Sequence, residues 1–558
     1  MTLDQPARRH WPGSTDFLRH GMFGILKPAS GDLLVQDRKG DGVAARKIPV
    51  GIQSFEKIRT DGFLYVDKTE YVYHLVHHNA SCFLSRPRRF GKSLLLSTLK
   101  AYWEGRKELF SGLAIEKLEE DKCNAWKAYP VFSFDFNGEN YQEKGALERR
   151  LTFLLEKWEK AYALDGAQSS LGARFRNLLI RAGDTTGLPC VILVDEYDKP
   201  LLEDMDHREM QEHNRDVLSD FFGVLKSCSD SIRFSFVTGV SRCNDLDLPG
   251  DISLDEEYAC VCGLTDAEIR TVFGEEIDAL CNRQHLGREE GLEKMKKWYD
   301  GYHFAPCSQS VYNPFSVLKC FFSKSFGSYW FGTGTPDLLI RKLRETDFDV
   351  QRLTEGTLYA DERTLKSTTC DAADPVPLLY QTGYLTIAGY DHDRDRYALG
   401  FPCEEVKYAF LESLLSAYTP NANAANGLDI FTLDEHMGRG NLEGIRDVLT
   451  GMVACIVPGG IPLDHCMRMV IFLVFTLLGR FLECELHTFS GYIGCKVKTR
   501  EYAYVFGFRM DGTAEEAPEK IEEKQSVLPF RVDTRKLYRI GVAFDSKSRM
   551  LTEWEVEE

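Results

Sequence analysis

The chain has 558 residues, 43% of them hydrophobic and 27% charged, with a formal charge of -17. That length exceeds a single core, and the composition is that of globular domains rather than disorder. The negative balance argues against a protein that coats nucleic acid non-specifically, although a local basic groove remains compatible with it. The 16 cysteines include no C-x-x-C pair. Disulfides and a zinc site are therefore not expected, and a reducing, cytoplasmic setting fits best.

In chain order, residues 1–46 read as a polar, loosely ordered extension without a secretory pattern. From 47 to 285 an α/β pattern follows. Asp67 and Glu70 have the spacing of a capping box ahead of a helix. Apolar runs at 81–85, 131–136, 190–194 and 233–239 read as strands separated by helical stretches. Residues 286–435 read as a helical, winged-helix-like region with aromatic landmarks at 299–304 and 329–331, expected to build a helical core. His303, among them, reads as a packing and hydrogen-bonding residue. Residues 436–558 read as helices leading into alternating strands. The apolar run Met469–Leu478 is too short to span a bilayer and is expected to be a buried helix. The acidic end "EWEVEE" reads as a solvated tail.

The stretch "FLSRPRRFGKSLLLSTLKAYW" carries most of the chemistry. A phosphate-binding loop needs G-x-x-x-x-G-K-[ST] between a strand and a helix. Here Gly91, Lys92 and Ser93 meet the pattern, whereas Arg86 holds the first glycine position. Leu95, Leu99 and Trp103 recur every four residues, so the following helix packs one face on a sheet. Its first turn then aims free N–H groups and the positive dipole end at a phosphate. Arg86, Pro87, Arg88, Arg89, Phe90, Gly91, Lys92, Ser93 and Leu94 are the expected nucleotide cradle. Lys92 is assigned to the β- and γ-phosphates and Ser93 to Mg²⁺.

The second half of the site is "CVILVDEYDKPLL". It is an apolar strand ending in Asp195, expected to hold the Mg²⁺ hydration shell, and Glu196, expected to act as general base toward water. The next strand ends "FVTGVSR", where Thr238, Ser241 or Arg242 is placed to sense the γ-phosphate. The alternative for Arg242 is a cap or an ion pair with an acid.

These segments together, with "FLYVDKT", "DISLDEEYA", "YDGYHF", "YWFGTGTP" and "LLYQTGYLTI", resemble the AAA-ATPase-like family found in many bacteria. That family's loop is typically written R-P-R-R-F-G-K-S, so Arg86 matches its variant. The resemblance covers most of residues 47–410 and implies an AAA+-type P-loop domain followed by a winged-helix-like region. The family usually carries a longer segment after "TGVSR" than the "CNDLDLPG" present here.

Such proteins usually end in a PD-(D/E)XK nuclease-superfamily domain, of restriction-endonuclease-like α/β fold, with a signature of the form E…G-R-I-D…E-F-K. The resemblance places Glu485 at the first position, "GYIG" at G-R-I-D, and "GFR" at E-F-K. Gly494 and Gly507 then stand where the metal-binding carboxylates belong, and Arg509 replaces the lysine. Glycine supplies no Mg²⁺ ligand, and arginine does not readily exchange a proton. Glu501 and Asp511 are the nearby acids that could substitute, and Pro518 interrupts or opens the helix that follows.

The leading reading is thus Mg²⁺-dependent ATP hydrolysis driving conformational change, with an inactive nuclease-like tail. A non-hydrolysing nucleotide-binding module and an ATP-gated DNA nuclease are the alternatives. A nucleic acid or protein partner at the C-terminal domain and a homo-oligomer fit this reading, and no membrane is expected.

Overall fold

The computed structural model describes residues 46–558 except 165–169, 204–206, 244–245, 247, 334–335, 347, 355, 357, 367–373, 423–428, 459–460, 490–491 and 512–534. The expected N-terminal extension, Pro518 and the helix around it lie outside the described residues, Arg46 apart.

The N-terminal sheet contains β1 (Ser81–Ser85), β2 (Val131–Asp135), β3 (Cys190–Asp195), β4 (Ile232–Gly239) and the short β5 (Gly250–Asp251). Their order is β2-β3-β4-β1-β5, and every pairing is parallel. β3 is buried at every position, as a central parallel strand covered on both faces must be. Its alternate residues serve two cores. Val191 and Leu193 pack with Leu95, Leu99 and Trp103 of the helix Lys92–Trp103. Ile192 and Val194 pack on the other face with Phe134, Phe175 and Phe221, the last two stacked with ring centroids 4.7 Å apart. The connecting strands and helices thus pin the C-terminal ends of β1 and β3 close together, where open parallel sheets bind ligands.

The helix Thr69–His78 does not use the expected capping box. Asp67 instead accepts from Thr69 N at 2.9 Å through Oδ1 and from Ala114 N at 2.7 Å through Oδ2. The acid therefore ties two segments together rather than pairing with Glu70.

A run of helices follows, among them Asp266–Val272, Gly274–Gln284, Arg288–Tyr299 and Pro314–Ser323. It ends in a small antiparallel sheet of β6 (Leu358–Ala360), β7 (Thr386–Asp391) and β8 (Arg396–Gly400), ordered β6-β8-β7. Helices followed by a small sheet occupy the stretch where a winged-helix-like region was expected.

The C-terminal sheet comprises β9 (Glu483–Phe489), β10 (Tyr492–Lys498), β11 (Tyr502–Met510), β12 (Lys536–Asp545) and β13 (Met550–Glu557), in the order β13-β12-β11-β10-β9. Only the β11–β12 pairing is parallel. The helix Leu463–Leu478, buried along most of its length, packs on one face through Phe475, 5.2 Å from both Phe506 and Phe508. The acidic end is not a free tail. Met550–Glu557 forms an edge strand on β12, its backbone paired while much of its charge stays exposed, as edge strands tolerate. Among the described residues no helix is long and apolar enough to cross a membrane.

Candidate nucleotide site

β1 leads into the loop 86–91, and Gly91, at φ 99°, caps the helix that begins at Lys92. Only glycine adopts that conformation without strain. The left-handed turn earlier in the loop falls on Arg89, at φ 68°, and not on Arg86. The substitution at the first glycine position therefore leaves Arg86 unstrained.

Lys92 is buried, and its Nζ donates to the carbonyls of Arg86 and Pro87 at 2.9 and 3.1 Å. The loop is thus wrapped around its own ammonium group. Beside it, the Ser93 hydroxyl lies near Asp195 at the end of β3 and favours that residue's charged form. Asp195 is 5% exposed, and its Oδ1 is buried without a hydrogen-bond partner among the described residues. Burial, partly offset by the Ser93 hydroxyl, pushes its carboxyl up to about 6. A buried carboxylate oxygen with no donor is costly unless a cation or donor completes it. A neighbouring hydroxyl and an acidic oxygen are the donor types that suit a Mg²⁺ ion and its water shell.

Glu196 follows at φ 50°. That left-handed conformation costs a non-glycine residue on the order of 1 kcal/mol or more and turns the chain sharply off the strand. Glu196 lines an open cleft of about 1400 Å³ together with Arg88, Arg89, Lys92, Ser93 and Asp135. Beyond Gly91 and Leu94 the cleft adjoins an apolar chamber of about 690 Å³ lined by Ile58, Tyr65, Leu95, Val261 and Leu318. Charge on one side and a greasy slot on the other match a molecule with a polyphosphate and a planar base.

Two expected contacts lie elsewhere. Arg86 is 1% exposed. Its guanidinium donates to the carbonyls of Ser253 and Tyr258 at 2.8 and 3.0 Å and lies 4.1 Å from the Phe304 ring centroid. It anchors the loop base to the segment after β5, and burial lowers its pKa. Arg242 pairs with Asp251 at 2.7 Å and lines a separate cavity of about 420 Å³ with Lys366 and Tyr380. Its ion-pair alternative is what the structure contains. Ser241 is likewise engaged: Asp198 accepts from Ser241 N at 2.6 Å, Ser241 Oγ at 2.7 Å and Val240 N at 3.0 Å. Thr238 Oγ1 is buried without a partner.

Sequence reasoning missed Asp198 and the aromatic brace around the loop. Trp330 Nε1 donates to Arg88 O at 2.8 Å, and Phe90 sits edge-on to Tyr302 and Phe304 at 4.7 and 5.4 Å. Arg89 stacks over Phe315 at 4.9 Å. Gly383 is so close to the loop that an added Cβ would lie 2.5 Å from Pro87 Cβ. Behind Trp330, Glu405 accepts its backbone N–H at 2.6 Å, and burial pushes that carboxyl up to about 7. The aromatic motifs were legible as packing; that they pack on the phosphate loop was not. His303 makes hydrogen bonds only structural in kind, to Ser308 O at 2.8 Å and from its N–H to Thr386 Oγ1 at 2.8 Å.

In the C-terminal sheet, the strand register brings together the positions that the resemblance assigns to the nuclease signature. Gly494 and Gly507 are direct cross-strand partners on β10 and β11. Arg509 is two residues beyond Gly507 on the same face of β11. Glu501 and Asp511 flank the two ends of the nine-residue β11, about 30 Å apart at strand rise. Asp511 is bonded to Ser546 N and Oγ at 2.8 and 2.7 Å.

Two family models and one relative match this chain. Residues 49–248 match the family described as a predicted AAA-ATPase, and residues 464–554 match the PD-(D/E)XK nuclease superfamily. A protein of Azotobacter chroococcum mcd 1, described as an uncharacterized protein in the vnfD 5' region, is 31% identical over 535 residues, covering 92% of this chain and 99% of that one. The chain belongs to the AAA-ATPase-like family, with a C-terminal domain of the PD-(D/E)XK nuclease superfamily.

Proposed function

We propose that the protein binds ATP with Mg²⁺ in the cleft above β1 and β3 and hydrolyses it, and that its C-terminal sheet does not cleave nucleic acid. The observation that carries the reading is the Ser93–Asp195 pair beside Lys92, with one Asp195 oxygen buried and unpartnered. Mg²⁺ bound there would supply charge neutralisation at the phosphates. Arg88, Arg89 and Lys92 provide fixed positive charge, and the first turn of the helix Lys92–Trp103 provides backbone donors. Glu196, in the same cleft, accepts a proton from an attacking water. For Lys92 to leave the carbonyls of Arg86 and Pro87, the loop must reorganise. Because Trp330, Phe304, Phe315 and Gly383 brace that loop, its rearrangement passes to the helical and winged regions.

Phosphate release from Mg·ATP, measured beside Lys92→Ala and Glu196→Gln, tests this. Turnover present in the parent and lost in both variants supports an ATPase. A second reading, a nucleotide-binding module without turnover, is favoured by the engagement of Arg242 with Asp251 away from the cleft. It predicts ATP binding that needs Lys92, with no phosphate release.

A further inference from the structure

Outside the nucleotide cleft, the helix Thr69–His78 carries His74 and His78 one turn apart, a spacing that puts both imidazoles on one face. Their rings are 5.2 Å apart. A separate segment, the single turn Glu256–Tyr258, brings Glu257 to them. Glu257 Oε1 lies 3.7 Å from His74 Nδ1 and 3.9 Å from His78 Nδ1. The three ligand atoms all fall within 4.8 Å of one another.

These separations are too long for hydrogen bonds. They are close to what ligands around one ion with bonds of about 2.0–2.2 Å require after a small side-chain adjustment. His74 Nδ1 is moreover buried and has no hydrogen-bond partner among the described residues, an expensive condition for an imidazole nitrogen. His77, on the same helix, is not part of the group, because its Nε2 contacts Glu119 at 2.6 Å.

We propose that His74, His78 and Glu257 form a binding site for a divalent transition metal of the zinc class. Two imidazoles and one carboxylate suit Zn²⁺, whereas Mg²⁺ and Ca²⁺ favour all-oxygen sets and Cu(I) favours thiolates. With His78 and Glu257 at the surface, a fourth position is left to water. The ion would staple the helix to the segment whose Tyr258 carbonyl accepts from Arg86 and whose Tyr258 hydroxyl accepts from Asn79. Arg86 is the anchor of the phosphate-loop base, so the site reinforces the loop from behind. It does not depend on whether ATP is hydrolysed.

The test is a titration of the full-length protein with Zn²⁺ by calorimetry, and with Co²⁺ by visible absorption, which distinguishes imidazole–carboxylate from thiolate ligation. Thermal unfolding is followed with and without Zn²⁺. The parent should bind one equivalent without a thiolate charge-transfer band and unfold at a higher temperature with the metal. His78→Ala and Glu257→Gln should each weaken that equivalent about 10- to 100-fold or more and lose the thermal shift, while His77→Ala should keep both. Equal affinity and stoichiometry in the parent, His78→Ala and Glu257→Gln would overturn the site, as would a loss in His77→Ala as large as in His78→Ala.

Discussion

The two five-stranded sheets of this protein each gather separate positions at one place, yet they bring different chemistry there. In the N-terminal sheet, parallel strands end together and deliver Lys92, Ser93 and Glu196 to one cleft, with Asp195 buried beside them. In the C-terminal sheet, the β10–β11 register sets Gly494 opposite Gly507, the two positions to which the resemblance assigns metal-binding carboxylates. The difference teaches that fold and site are separable: backbone hydrogen bonds hold a sheet together whatever the side chains at these positions, whereas metal chemistry needs the oxygens. The N-terminal loop is also braced by aromatics from a distant part of the chain.

The largest effect that would sharpen this contrast lies at Glu196. Glu196→Gln should lower turnover about 10²- to 10⁴-fold while ATP affinity stays near the parent's. Lys92→Ala should lower both, as filter-binding and phosphate-release assays would register.

The brace comes next. Gly383→Ala would set a Cβ 2.5 Å from Pro87 Cβ at a backbone φ of 89°. Overpacking and strain should each cost on the order of 1–3 kcal/mol, read as a lower urea midpoint and weaker ATP binding. An unchanged variant would show that the loop is not held from this side.

Glu405 gives a pH signature of the same brace. Its carboxyl is raised by burial to about 7 in the folded protein from 4.5, so the native state holds a proton that the unfolded chain releases. Its contribution is therefore fully present below about pH 4.5 and is lost as pH rises through about 7. Glu405→Gln should remove this component, flattening the urea midpoint between about pH 5 and pH 8 relative to the parent.

Smaller still, Trp330→Phe deletes the 2.8 Å bond to Arg88 O. It should cost about 0.5–1.5 kcal/mol, with a matching weakening of ATP binding if loop and brace are coupled.

The smallest expected effect is in the C-terminal sheet. Arg509→Lys should yield no Mg²⁺- or Mn²⁺-dependent nicking of supercoiled DNA, and neither should the parent. Metal-dependent cleavage in either would break the comparison outright.

Much of the architecture was legible because it follows from local pattern. The four strands flanking the phosphate loop and acidic strand end came from apolar runs whose lengths match the structure within a residue or two. The Gly91-Lys92-Ser93 turn and the Asp195-Glu196 pair were legible because their chemistry requires those residue types at a strand end. The acidic C-terminal segment was misjudged for a physical reason: its charge reads as solvation, while its pairing with β12 uses backbone groups that composition does not report.

By itself, then, the sequence determined the parallel α/β domain and the phosphate loop, because periodicity and turn chemistry are local properties. Only the tertiary structure decided which cations face the cleft. Arg86 opens the arginine-rich loop and Arg242 ends "TGVSR", yet buried carbonyls claim the first and Asp251 claims the second. It alone decided too that Trp330, Phe315 and Gly383 grip the loop. Most of these contacts join residues far apart in the chain, where packing and desolvation, rather than spacing, choose each side chain's partner.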